Sequence, residues 1–300
     1  MPHVAPLVVP CKTVDELWAQ LDPTCPLAEL AGNPRDLVFR GQGDSEWDLA
    51  PSVFRPFRDG RRTPAQLVFK QDGLTADQQA VAELRLLQLF VEACDLSALP
   101  LPIDSSAFRE KWILTNCQGL NDVARSPETW PPRELFDLLA VAQHHRIPTR
   151  LLDWTRRSHV AAYFAAEGGL DGRNREDGEI AVWALDLERR GLFREIEVVR
   201  VPGSTSRNLA AQEGLFTLVP GTSTRGLPYV GSRIEDVLDA KFAHNPSACP
   251  LWKITLPRSQ APKLLERCAR FGVSGATLYP GYDGAARSAL NKVLGWSGGT

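Results

Sequence analysis

Three hundred residues, 43% apolar and 23% charged, fit one large or two small soluble globular domains with a sizeable core. The net charge of −2 argues against a surface coated in basic residues for nucleic acid. No apolar run reaches the length of a membrane span, Met1-Pro2-His3 does not open a secretory signal, and Cys11, Cys25, Cys94, Cys117, Cys249 and Cys268 show neither CxxC nor metal-ligand spacing, so the expectation is a cytoplasmic protein with reduced, mostly buried thiols, no membrane contact and no metal.

Val14 to Leu21 reads as a short amphipathic helix, with Val14, Leu17, Trp18 and Leu21 at helical spacing and Thr13 placed to cap it. Leu37 to Arg40 reads as a strand, and Gly41 to Asp48 as a turn-rich loop. Asp77 to Ala93 predicts a long helix, broken by two prolines in the stretch to Asp104. Trp112 to Cys117 fits a short helix or a buried turn. Pro131 to Gln143 is a helix with a favourable Pro-Pro start, His144 and His145 near its end and Pro148 as its stop. Ser158 to Ala166 is the next helix. Strands follow over Glu179–Leu187, Glu195–Val201, Leu215–Val219 and Leu251–Leu256. Pro262 to Phe271 is helical, Ala276 to Tyr279 reads as a strand, Gly284 to Val293 as a last helix, and Gly295 to Thr300 as a frayed end. The pattern predicts one α+β domain, its helices mainly in the first half around a mixed or antiparallel sheet formed mainly by the second half.

The chemistry concentrates in two places. Ala140 to Thr155 holds Gln143, His144, His145, Arg146, Arg150, Asp153, Trp154 and Thr155 between two apolar runs. Ordering so many titratable side chains in one junction is costly, which points to a site. The strand at Leu37 ends in Arg40-Gly41-Gln42, where a guanidinium offers a planar fork for phosphate and Gly41 admits a close ligand. The plainer readings are an Arg40 paired with Asp153, an Asp153 or Thr155 that caps the following helix, a Trp154 in the core, and structural histidines. Adjacent helical residues point about 100° apart, so no more than one of His144 and His145 should face a pocket directly. Arg207, Gln212 and Glu213 stand before the strand at Leu215, as site residues or as a solvated turn. Glu83 reads as part of a charged helix face. Arg55 to Arg62, with Phe54 and Phe57, is either a solvated basic loop or a weak nucleic-acid contact. The chain has no GxGxxG, Walker A or GxSxG, which disfavours dinucleotide dehydrogenases, P-loop NTPases and α/β-hydrolases.

These segments carry a resemblance. Phe39-Arg40-Gly41-Gln42 with Trp47 and Pro51-Ser52-Val53, then Gln143-His144-His145 with Pro148 to Thr155 and Ala161-Ala162-Tyr163-Phe164-Ala165, resemble the FRG domain family. Arg207 with Gln212 to Thr217, and Leu278 to Gly284, are similar to its later blocks. The implied organisation is a helical extension over 1–35, an FRG domain over 36–292 and a flexible tail over 293–300. More remotely, the order of parts resembles ADP-ribosyltransferase-like folds: an aromatic-Arg-Gly strand end, a polar motif before a helix, and a polar residue entering a later strand. That resemblance implies NAD as substrate, for a transferase or a glycohydrolase. Arg40, His144, Asp153 and Gln212 would be the catalytic set, and Gly41, Gln42, Gln143, Arg150, Trp154, Thr155, Arg207 and Glu213 the ligand-binding set. The transferase pattern carries Ser-Thr-Ser where this chain has Asp153-Trp154-Thr155. The alternative is a non-catalytic module that binds a nucleotide or nucleic acid, in a bacterial defence or stress setting. Metal-dependent nuclease chemistry fits poorly, since Asp153 has no acidic companion. Any single-site account requires Arg40, Gln143, Asp153 and Gln212 to converge on one cleft.

Overall fold

The computed structural model describes residues 6–24, 36–57, 60–114, 117–170, 177–202, 211–221, 223–229, 231 and 233–297. Its centre is one seven-stranded mixed sheet, formed by β1 (Leu7–Pro10), β2 (Leu37–Gln42), β3 (Leu151–Thr155), β4 (Glu179–Asp186), β5 (Glu197–Val199), β6 (Gly214–Leu218) and β7 (Leu251–Pro257). The spatial order is β1-β7-β4-β2-β3-β6-β5; β1 pairs parallel with β7, and every other pair is antiparallel. This agrees with the α+β expectation.

The strand period of two divides the core. Ile180, Val182 and Ala184 of β4 meet α6 (Ser158–Gly169) and α8 (Ala261–Arg270) on one face. Ala181, Trp183 and Leu185 meet α7 (Ile234–Phe242) on the other. Beyond the short α2 (Pro64–Phe69), a third cluster seats α3 (Ala76–Leu96), α4 (Gln118–Arg125) and α5 (Phe136–His144) against Leu151, Val199, Phe216 and Leu218. With both faces covered, β4 is buried almost along its whole length.

Several expectations change. The 1–35 segment is not purely helical: α1 (Val14–Gln20) forms as expected and Thr13 accepts the Glu16 N–H at 3.3 Å, but Leu7–Pro10 is an edge strand of the sheet. Ala276 to Tyr279 belongs to a helical turn, α9 (Gly275–Leu278), because Ser274 and Thr277 close a capping box around it. The last helix, α10 (Tyr282–Ser297), runs on through 293–297, which had been expected as tail. Proline does not end α5. The helix stops at His144, and Arg146 turns into the left-handed region at φ 66° two residues before Pro148. Cys25 and Arg207 lie outside the described residues; Cys11, Cys94, Cys117, Cys249 and Cys268 are buried free thiols.

Gly41 shows why β2 needs glycine. A Cβ there would lie 2.0 Å from the Ala161 carbonyl oxygen and 2.5 Å from the Ala165 nitrogen, both backbone atoms of α6. Whatever its part beside a ligand, Gly41 makes a helix–strand contact that no side chain tolerates. Gly41→Ala should therefore cost about 3 kcal/mol or more, since neither backbone can yield cheaply. A urea midpoint equal to that of the wild type would contradict this contact.

Candidate functional site

Strands β2, β3 and β6 lie side by side and bring together residues far apart in sequence. The β2–β3 ladder contains one pair, Phe39 with Thr155. Beyond it, the Arg40 guanidinium takes the place of a ladder bond: Nη1 donates to the Asp153 carbonyl at 2.9 Å and lies 3.4 Å from Asp153 Oδ2. The Arg40 side chain is 15% exposed and that of Asp153 is 61% exposed. Arg40 Nε is buried without an acceptor, and Nη2 makes no hydrogen bond to a described residue. The Arg40–Asp153 pairing expected as the plainer reading is therefore present.

Asp153 is held from a second side. Gln143, in the last turn of α5, donates from Nε2 to Asp153 Oδ1 at 2.7 Å. The Thr149 hydroxyl donates to Gln143 Oε1, so the amide nitrogen faces Asp153. Thr149 is itself fixed to Ser52, its N–H donating to the hydroxyl at 3.1 Å. On the far side of β3, the Thr155 hydroxyl donates to the Gln212 carbonyl at 2.5 Å and accepts the Arg157 N–H at 3.0 Å. Gln212 Nε2 reaches the Leu278 carbonyl at 3.4 Å. Asp153 caps no helix. It lies inside β3, opposite Phe216 of β6.

These groups line a cleft of about 1290 Å³, which holds Arg40, Gln143, Asp153 and Gln212 together. His144, Thr155, Trp154 and Gly41 also line it. Both His144 and His145 face it, against the expectation of one. His145 has left the helix (φ −93°, ψ 23°), which frees it from the 100° rule, and the two rings meet edge-on with centroids 5.0 Å apart. Burial and then His145 push the His144 pKa below its ordinary value, and the Asp153 carboxylate opposes this. Asp153→Asn should therefore lower the His144 pKa further in an NMR titration of its ring protons. A rise, or no change, would disprove the coupling.

Other expected site residues lie elsewhere. Arg150 is fully buried: its Nε and Nη2 donate to Glu83 Oε2 and Oε1 at 2.8 and 2.7 Å. Trp130 Nε1 donates to the same carboxylate at 2.8 Å, and the Phe54 ring lies 5.7 Å from the guanidinium. Arg150 cannot meet a ligand in the cleft; it anchors the start of β3, three residues from Asp153. Glu83 is accordingly no member of a solvated face. Gln42 is buried, donating to the Asp48 carbonyl at 3.0 Å and accepting the Trp183 indole N–H at 2.7 Å. Trp154, although it lines the cleft, is almost wholly buried and gives its indole N–H to Thr217 at 2.7 Å. Glu213 is exposed at φ 47° and does not line the cleft. The basic loop is not free either. Arg55 is half-buried, donates to the Ala50 carbonyl at 2.7 Å, and is pushed down to about 10 by burial and the Arg40 charge. Arg62 pairs with Asp72 at 3.0 Å.

One wall had not been foreseen. From α10, Asp283, Arg287, Leu290, Asn291 and Leu294 face the cleft at helical spacing. Arg287 lies over the Tyr279 ring at 4.6 Å and 3.4 Å from Glu167 Oε2, while Phe164 meets Tyr279 edge-on at 6.3 Å. The stripe on α10 was readable as periodicity, but nothing local said which side it faced.

The family model of the FRG domain matches residues 104–173. That span contains α4, α5, β3 and α6, hence Gln143, His144, Asp153, Thr155 and Glu167, whereas Arg40, Gln212 and the α10 wall lie outside it. No curated protein and no solved structure matches the chain.

Proposed function

For a chain that carries an FRG domain, we propose that the cleft binds NAD and cleaves its nicotinamide glycosidic bond, passing ADP-ribose to water or to a macromolecular acceptor. The observation that carries this reading is the convergence on one large cleft of Arg40 from β2, Asp153 from the neighbouring β3 and Gln212 from just before β6. Its volume of about 1290 Å³ suits a dinucleotide. Arg40 keeps Nη2 for a pyrophosphate oxygen while Nη1 holds Asp153 in place. The sugar C1′–nitrogen bond breaks, its electron pair leaves with neutral nicotinamide, and the cationic sugar centre faces the Asp153 carboxylate. Gln212 takes a ribose hydroxyl. His144, kept neutral near pH 7 by its lowered pKa, accepts the proton released by the attacking water or acceptor hydroxyl.

A binding module without turnover is the second reading, favoured by the exposed position of Glu213, which leaves no glutamate at the entrance of β6 facing the cleft. The deciding measurement is release of free nicotinamide from NAD by purified protein, followed by chromatography with and without cell extract as acceptor source. Release by the wild type that disappears in Arg40→Ala supports turnover. Saturable NAD binding that depends on Arg40, without release, supports the module. Neither release nor binding by folded protein rejects NAD altogether.

A further inference from the structure

The sheet ends at β5, three residues that pair with β6 on one side only: Glu197 with Leu218, Val198 with Thr217 and Val199 with Phe216. Among the described residues no strand lies on its outer side. A separate groove of about 560 Å³ runs along this edge. Arg133, Arg190, Arg194 and Arg200 line it against Glu188 and Glu197, with Phe136 and Val198 as apolar lining. One of these charges is internally answered, since Arg133 pairs with Glu197 at 2.5 Å. Arg190, Arg194 and Arg200 are exposed and form no ion pair with a described residue. The groove is thus locally cationic on a chain whose net charge is −2.

We propose that this edge binds an acidic peptide in extended conformation, added as a further strand beside β5. Two features select that occupant. A sheet edge presents both N–H donors and carbonyl acceptors, and a peptide backbone answers both, whereas a phosphodiester supplies only acceptors. The unpaired arginines call for carboxylates at alternate positions, which an extended strand places about 7 Å apart on one side. A second copy of this edge is a poor occupant, because it would bring its own flanking Arg194 and Arg200 to a groove that is already cationic. The proposal does not involve the NAD cleft, whose lining shares no residue with this groove.

The test uses the full chain and a dye-labelled peptide alternating Glu with Val, read by fluorescence anisotropy at low salt. Three comparison probes are a Lys/Val peptide, the Glu/Val peptide with alternate backbone nitrogens methylated, and a single-stranded oligonucleotide of equal charge. The expected result is saturable binding of the Glu/Val peptide alone. The double reversal Arg194→Glu with Arg200→Glu should weaken it at least about tenfold; both side chains are exposed, so the fold is not at stake. Unaltered binding of the methylated peptide would overturn strand addition. Equal binding of the Lys/Val peptide, tighter binding of the oligonucleotide, or no peptide binding by folded protein would each overturn the acidic-peptide assignment.

Discussion

Arg40→Ala is expected to fold and, if the cleft cleaves NAD as proposed, to release nicotinamide at least about 100-fold more slowly than the wild type, the scale on which loss of one charge-stabilising group is felt. The guanidinium supports Asp153 at both its carbonyl and its carboxylate, from a strand that otherwise stops pairing with β3 after Phe39. Its removal leaves the carboxylate held by Gln143 alone and takes away the cation beside it. Stability should change little by comparison, because the same residue carries a buried Nε with no acceptor, and alanine removes that unmet donor. Arg40→Lys should recover only part of the rate, since one ammonium cannot hold Asp153 and a phosphate oxygen in the same plane. Single-turnover nicotinamide release, with the thermal midpoint measured alongside, checks both claims. Undiminished release by Arg40→Ala would remove Arg40 from the site.

Glu83→Ala is expected to cost about 3–5 kcal/mol, the usual consequence of stripping the partner from a buried charge. Arg150 would stay buried without its two carboxylate bonds, and Trp130 and Gln79 would each lose an acceptor. The thermal midpoint should fall by roughly 10 °C. The double change Glu83→Leu with Arg150→Met should recover part of that loss, because no orphaned charge remains. Denaturation of the three proteins decides the matter: a double variant no more stable than Glu83→Ala would show that the buried pair is not the source. Asp153 should feel the same damage, since Arg150 fixes the start of the strand that presents it.

Local patterning made much of this fold legible. The apolar runs at Leu37, Glu179 and Leu251 and the helical spacing at Ser158 and Pro262 lead directly to β2, β4, β7, α6 and α8. The site was legible where polar side chains stand within or just before apolar strand runs, as Arg40, Asp153 and Gln212 do. What local sequence could not separate was Arg40 from Arg150: both sit in polar motifs, and only the packing of α3 decides which one is buried. Glu83 did carry a signal, because it shares the stripe Ala80, Leu84, Leu87, where a carboxylate must find a buried cation. Ala276 to Tyr279 misleads through its β-prone residues, which the Ser274 cap overrides. The strand at Leu7 depends on β7, more than two hundred residues away, and no window on the sequence contains both.

The α10 wall has a consequence for timing. A ribosome delivers the chain at about 5–20 residues per second, N-terminal end first. Arg40 is therefore made long before Arg287 and Leu294, which complete the same cleft. Edge strand β1 likewise waits for β7 before it can dock. A nascent chain that has passed Asp153 holds the polar trio only in part and lacks one side of the pocket. Whatever the cleft does, the chain acquires it only once α10 has been made, and a product that stopped short of Arg287 would lack that wall.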